Sequence, residues 1–269
     1  MKLVTLTSDF GLEGEGPGIM EATIIGRCPD ARVVHLCHTV TPFNVLEGAR
    51  QMECVLTIPA GIHVCVVDPG VGSQRRGVAL EVPPVGILVG PDNGVLMSLV
   101  RLAGGLSAAY SLDNPNFLRQ PVSSTFHGRD VFASVAGHLA AGADLAAVGA
   151  PIPPSQLATV PYEEAVPSDL GVESVVLHIN RFGNCILNIR EEQMAPALAQ
   201  GRAIQLYRQK QALGQALVAP SFSFVAIGSP LIYPDSYGRV GLALNQGNAA
   251  LSFGLEVNSP LTLRWGEKQ

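Results

Sequence analysis

Charge is scarce in this chain. Asp, Glu, Lys and Arg make up 14% of its 269 residues, and the net charge is −5 with the basic residues scattered. A typical soluble chain carries about 25% charge. No basic face is therefore expected, which argues against nucleic-acid binding. The hydrophobic fraction of 47% excludes a disordered polymer, which would be polar and charge-rich. No apolar run approaches the roughly 18 residues that a membrane span requires. The first nine residues lack the apolar stretch and cleavage site of a secretion signal, so a cytoplasmic protein is expected. Cysteine is sparse and unpatterned: Cys28, Cys37, Cys54, Cys65 and Cys185 are odd in number, and no two stand in C-x-x-C spacing. Neither a disulfide framework nor a zinc site is expected, and the thiols are read as small buried hydrophobes in a reducing compartment. There is no G-x-G-x-x-G, no G-x-x-x-x-G-K-[ST] and no H-x-x-x-H, which argues against a dinucleotide fold, a nucleoside triphosphate loop and a metal helix. The absence of G-x-S-x-G removes a serine hydrolase elbow.

The first half alternates apolar strand-like and helix-like segments. Strands are expected over residues 3–7, 32–36, 63–67 and 86–89, and helices over 19–27, 45–56, 95–102 and 130–141. The strands show no polar alternation, which implies cover on both faces and hence a largely parallel central sheet flanked by helices. A Pro- and Glu-containing stretch follows Ala150-Pro151-Ile152-Pro153-Pro154 and reads as a linker. Beyond it, short strands separated by turn residues are expected over 174–179, 185–189, 203–206, 222–227, 240–244 and 261–265, as in a small β-barrel. The predicted organisation is an α/β chain: an N-terminal α/β domain over 1–155, a linker over 156–170 and a C-terminal small β-barrel over 171–269.

Ligands of open α/β sheets bind beyond the carboxyl ends of the strands. Three such ends place an aspartate beside glycine: Asp9 in Thr7-Ser8-Asp9-Phe10-Gly11, Asp68 in Asp68-Pro69-Gly70-Val71-Gly72, and Asp92 in Gly90-Pro91-Asp92-Asn93-Gly94. Each alone is an ordinary turn signal, but three on one sheet edge suggest a site. His127 stands out among the histidines because Ser123-Ser124-Thr125-Phe126-His127-Gly128-Arg129-Asp130 surrounds it with hydroxyls, a glycine and both charge signs at a helix start.

These segments, with Thr41-Pro42-Phe43, Val66-Val67-Asp68, Phe182-Gly183-Asn184, Ser236-Tyr237-Gly238 and Asn245-Gln246-Gly247-Asn248-Ala249-Ala250, make an ordered set over nearly the whole chain. The set resembles the S-adenosyl-L-methionine (SAM) hydrolases that form adenosine, or SAM hydroxide adenosyltransferases, which are relatives of fluorinase and chlorinase. The resemblance implies hydrolysis of SAM to adenosine and L-methionine, with SAM as substrate and no cofactor or metal. It implies a homotrimer with SAM held between the N-terminal domain of one protomer and the C-terminal domain of the next. Asp68, Arg75 and His127 match a triad that handles water, and Asp9 the carboxylate that grips the ribose hydroxyls. Phe43 and Phe126 match walls around the nucleoside. Phe182, Asn184 and Ala249, beside Asn248, match the adenine pocket, and Ser236 lies where the methionine part is held.

Three departures from the family pattern stand out. Asn180 replaces an aspartate that helps bind the methionine ammonium, the 14–18 stretch lacks the usual Asp-x-Tyr-Val-Gly, and Gly241 replaces a common glutamate. Two other readings stay open on the residues alone. One is a SAM-dependent halogenase forming 5′-halo-adenosine, and the other is a SAM- or adenosine-binding protein with weak or lost catalysis. Arg76, next to Arg75, is expected to be a solvated surface charge.

Overall fold

Six strands of the first half pair into one sheet in the computed structural model, which describes residues 2–194, 199 and 201–265. In chain order the elements are β1 (Leu3–Ser8), α1 (Gly16–Ile25), β2 (Arg32–Cys37), α2 (Val45–Met52), β3 (Gly61–Val66), β4 (Gly77–Val82), β5 (Gly86–Pro91), α3 (Met97–Leu102), β6 (Ala108–Ser111) and α4 (Ser134–Ala140). The sheet order is β2-β1-β3-β5-β4-β6. β1 runs parallel to β2 and β3, and β3 parallel to β5, whereas β4 is antiparallel to both β5 and β6. The sheet is thus parallel-rich, and β4 and β6 are strands not foreseen from the pattern.

The apolar strands are covered on both faces, as their lack of alternation requires. Val4, Leu6, Val64 and Val66 join one core with Met20 and Ile24 of α1 and Val135 and Ala136 of α4. Cys65 and Val67, offset by one residue, join the opposite core with Met52, Leu88 and Leu99. That one-residue offset is the two-residue period of a strand, and each fully buried aliphatic side chain contributes about 1.5–3 kcal/mol. Asn44 caps α2, its Oδ1 accepting the Glu47 N–H at 3.0 Å. Cys28, Cys65 and Cys185 are buried, Cys37 and Cys54 partly so, and all five are free thiols. Among the described residues no helix is long and apolar enough to cross a membrane.

The second half comprises β7 (Gly171–Ile179), β8 (Cys185–Arg190), α5 (Glu191–Met194), β9 (Ala203–Arg208), β10 (Gln211–Val218), β11 (Pro230–Pro234), β12 (Arg239–Leu244), α6 (Ala249–Phe253) and β13 (Pro260–Arg264). Seven strands close into a barrel in the order β10-β11-β12-β8-β7-β13-β9, sealed by antiparallel pairing of β9 with β10. Closure leaves no unpaired edge. Val176, Leu187, Ile204, Leu206, Leu242 and Leu263 fill its interior.

The strand expected over 222–227 is absent. Phe222–Phe224 is a single 3-10 turn, and the barrel strand is β11, eight residues further on. Phe222 packs against Tyr233 of β11 with ring centroids 5.1 Å apart, so its aromatic character serves side-chain packing rather than a ladder. β10, too, was not foreseen.

The chain divides into two units, residues 1–161 and 162–269. Residues 162–165 lie inside the stretch expected to be a linker, yet they are bound into the second unit. Arg239, with 0% of its surface exposed, donates from Nη1 to Glu164 at 2.9 Å and from Nη2 to Glu164 at 3.0 Å and Tyr162 Oη at 2.8 Å. Ala165 belongs to the barrel core. Gly241 also has a packing reason: a Cβ there would sit 2.6 Å from the Tyr233 ring.

Candidate functional site

Two groups of the expected residues assemble, one in each unit. In the first unit, Asp68 follows β3 and Arg75 precedes β4, so the one loop between these strands brings a carboxylate and a guanidinium seven positions apart back on each other. Arg75 Nε donates to Asp68 Oδ1 at 3.0 Å and Nη2 donates to Oδ2, and both side chains are almost wholly buried. Arg75 also lies over the Phe132 ring, 5.4 Å from its centroid. The same Nη2 lies 3.1 Å from His127 Nδ1. A guanidinium only donates, so His127 Nδ1 accepts, and a neutral His127 carries its hydrogen on Nε2. Burial and then Arg75 hold the His127 imidazole below its ordinary value, against Asp68 and Asp130 acting upward. The chain Asp68–Arg75–His127 therefore presents carboxylate lone pairs at one end and a neutral N–H donor at the other.

The His127 loop is held by Asp130, which is fully buried. Arg129 Nε and Nη2 donate to its two oxygens at 2.6 and 2.9 Å, Arg119 Nη1 donates at 3.2 Å and the Ser123 N–H at 2.8 Å. Desolvation acts to raise the Asp130 carboxyl, but Arg129, Ser123 and Arg119 outweigh it and the group lies below its ordinary value. His127 is the residue before a π-helical segment, Gly128–Ala133, that leads into α4. Such wide turns are frequent at functional sites. Phe126 meets Phe10 edge to face with centroids 5.9 Å apart and lies under the Arg129 guanidinium.

Gly72 joins the two loops. Its φ is +76°, and a Cβ would stand 2.4 Å from the Ser124 carbonyl oxygen. Gly72→Ala is expected to lower stability by about 1–3 kcal/mol through left-handed strain and that clash, and to break the Arg75–His127 hydrogen bond. A urea midpoint and the His127 ring ¹⁵N shifts check both; unchanged values would show that the loops move independently.

Asp9 follows β1. Its Oδ2 accepts the Phe43 N–H at 2.8 Å, and burial, with a smaller contribution from the Asp68 charge, raises its carboxyl. Phe43 holds φ +67°, a left-handed conformation rare for a side-chain-bearing residue, and the residue is 71% exposed. Asp92, the third strand-end aspartate, does not join this group. It accepts Arg76 Nη2 at 2.7 Å and the Ala158 N–H at 2.8 Å. Arg76 is exposed at the surface, as expected, and is also the ion-pair partner of Asp92.

In the second unit, Phe182 and Asn184 line a hollow of about 570 Å³ with Phe222, Leu244, Asn245, Gln246 and Gly247. The turn between β7 and β8 is built around Asn180, whose Oδ1 accepts the Phe182 N–H at 3.0 Å and the Asn184 N–H at 3.1 Å. This turn is stitched to α6: the Ala250 N–H donates to the Gly183 carbonyl, and Asn248 Oδ1 caps the helix by accepting the Leu251 N–H. Gly183 has φ +80°, and its missing Cβ is where the Asn248 amide packs. Asn180, Phe182 and Asn184 are thereby brought beside Asn248 and Ala249. Ser236 sits in the exposed turn between β11 and β12 and is not among the residues lining that hollow.

One feature of the first unit went unmarked in the sequence. His38, three residues before Thr41-Pro42-Phe43, is 3% exposed and bonds to both Ser8 and His35. Its only signal was a polar ring close to a motif. Among the described residues no group of three or more His, Cys, Asp or Glu is placed to hold a metal ion.

The fold defines a class, a parallel-rich α/β unit followed by a closed barrel. It is shared with a solved structure of a conserved protein from Thermotoga maritima, at TM-score 0.89 and 27% identity over 97% of this chain and 99% of that one. Within this class the chain belongs to the SAM hydroxide adenosyltransferase family: residues 4–149 match the N-terminal domain and residues 174–262 the C-terminal domain. It is 37% identical to the (R)-S-adenosyl-L-methionine hydrolase of Salinispora tropica over 98% of each chain. It is 24% identical to a fluorinase of Nocardia brasiliensis over 98% of this chain and 97% of that one.

Proposed function

We propose that this protein hydrolyses SAM to adenosine and L-methionine. Water attacks C5′, the C5′–O bond forms as the C5′–S bond breaks, and the bonding pair goes to sulfur. The sulfonium leaves as a neutral thioether, so the leaving group needs no acid, and one proton is released. The reaction as written needs no cofactor.

The observation that best supports this reading, given the family, is the shared Arg75 Nη2 between Asp68 and His127. Asp68 retains lone pairs to accept a hydrogen from the attacking water. His127, with Nδ1 committed to Arg75, offers only Nε2–H, so it orients the water oxygen and Asp68 takes the proton. Arg75 fixes both and supplies the permanent charge that stabilises developing hydroxide. Holding one water in line recovers much of a barrier that bulk solvent leaves intact. The substrate's positive charge disappears during attack, so apolar walls around the bound nucleoside, the role assigned to Phe43 and Phe126, favour the transition state. Asp9 is assigned to the ribose hydroxyls, and Phe182, Asn184, Asn248 and Ala249 to the adenine. Ser236 is assigned to the methionine part.

Incubation with SAM and chromatography for adenosine and methionine tests the reaction. Equal amounts of both are expected, and unchanged SAM would leave only a binding protein. A homotrimer is part of the same proposal; light scattering is expected to give three times the 28.2 kDa of one chain, and a monomer would overturn it.

Asn180→Asp tests the methionine end. Asn180 already uses Oδ1 for the turn, so a carboxylate keeps those two bonds and adds a charged oxygen in place of the amide NH₂. SAM is expected to bind about tenfold more tightly and adenosine equally well, by calorimetry, because ionised acceptors strengthen hydrogen bonds. Equal gains for both ligands would remove the residue from the amino-acid subsite.

A further inference from the structure

Beneath Asp9 runs a chain of four side chains that the reaction does not use. Ser8 Oγ lies 2.7 Å from His38 Nδ1, His38 Nε2 lies 2.7 Å from His35 Nδ1, and His35 Nε2 lies 3.1 Å from Glu21 Oε2. Three elements are tied together in this way: Ser8 ends β1, His35 sits on β2 with His38 just after it, and Glu21 is on α1. Ser8 is 0% and His38 3% exposed, whereas the outer His35–Glu21 pair is about one-third exposed.

The donors and acceptors fit one arrangement with both rings neutral. The Glu21 carboxylate accepts, so His35 Nε2–H donates and His35 Nδ1 accepts. His38 Nε2–H then donates and His38 Nδ1 accepts the Ser8 hydroxyl hydrogen. Burial, with His35 beside it, pushes the His38 imidazole down to about 4, so the inner ring stays neutral. Every hydrogen in the chain points outward, and the Ser8 oxygen keeps a lone pair for the Phe10 N–H at 3.3 Å.

The chain grips both halves of the Asp9 environment. On one side Ser8 Oγ holds the Ser8–Phe10 turn that carries Asp9. On the other, the His38 carbonyl accepts the Gly11 N–H at 2.7 Å, which fixes the start of the loop ending at Phe43. The Phe43 N–H is the direct donor to Asp9. Releasing His38 would free the turn and the loop at once.

We propose that Ser8, His38, His35 and Glu21 are positioning residues for Asp9, holding its carboxylate and the Phe43 N–H in the arrangement that binds the ribose diol. This rests on the reading of Asp9 given above. The chain acts on substrate affinity and not on the bond-making step, because its hydrogen bonds run to Phe10 and to one another and not to Asp68, Arg75 or His127.

The test is a double-mutant cycle on the full chain, with SAM and adenosine affinity from calorimetry and SAM turnover alongside. His38→Ala is expected to weaken both ligands about 5–20-fold and to raise KM in step, with kcat within about twofold. His35→Ala, at the outer end, is expected to cost about threefold and carries the test if His38→Ala fails to fold. His38→Gln, which keeps an acceptor for Ser8 and a donor for His35, restores most of the affinity. In an Asp9→Ala background the His38 and His35 effects vanish, because the group they position is gone. Equal losses with and without Asp9, or a fall in kcat at constant KM, would overturn the proposal while leaving the role of Asp9 intact. If Asp9→Ala itself binds adenosine like the wild type, the ribose reading falls and this proposal falls with it.

Discussion

His127→Ala is expected to lower SAM turnover by about 10²–10³-fold, within the range that a positioned proton-handling group contributes, while SAM affinity changes by less than about threefold. The separation follows from its bonds. His127 hangs on the Asp68-bound Arg75, and in the proposed reaction it meets the attacking water and not the nucleoside, so its loss is expected to leave the nucleoside contacts in place. Asp68 and Arg75 remain paired after the substitution, so no buried charge is stranded and the fold survives. The pH profile gives a second handle. Burial and Arg75 hold the His127 imidazole below its ordinary value. A lowered value means that the ring stays neutral to more acidic pH, so turnover is expected to persist below the usual imidazole range before it falls. Stopped assays across pH 4–8 at saturating SAM check this. Wild-type-like turnover in His127→Ala would remove the residue from the chemistry.

Arg239→Ala is expected to lower stability by about 3–5 kcal/mol, the usual result of removing one partner from a buried ion pair. Arg239 has no exposed surface and satisfies both oxygens of Glu164 and the hydroxyl of Tyr162. Truncation leaves the Glu164 carboxylate facing a void beside β12. The double substitution of Arg239→Met with Glu164→Met is expected to recover most of the loss, because burying two charges is costly to begin with. Denaturant midpoints of the two variants against wild type decide it. If the single variant loses less than about 1 kcal/mol, the pair is behaving as an exposed one.

How much could be read from residues alone depended on whether the signal was local. The apolar runs that became β1, β3 and β5 declared a sheet covered on both faces, and the turn-separated strands after residue 170 declared a barrel. β6 could not be seen, because Ala108–Ser111 is made of residues with mixed strand preference and is a strand only by register against β4. β11 was hidden by its own prolines. Pro230 and Pro234 sit at its two ends, where a missing N–H costs little, and the aromatic 222–227 stretch upstream looked more strand-like.

The site divides in the same way. Asp68 and His127 stood out by their own surroundings in the sequence, whereas Arg75 came only with the family resemblance, and which nitrogen of His127 is free follows only from the direction of the Arg75 bond. Asp92 carried the same Asp-beside-Gly signal as Asp9 and Asp68, and its partner Arg76 explains why it stays apart. His38 was invisible because its meaning lies in Ser8 and Glu21, far away along the chain.

The central claim is that a water oxygen becomes the 5′-hydroxyl of the product. Incubating the protein with SAM in H₂¹⁸O and weighing the adenosine by mass spectrometry tests it. Adenosine heavier by one ¹⁸O at the 5′ position is the expected result. Adenosine without the label, or 5′-chloroadenosine formed in proportion to added chloride, would contradict it.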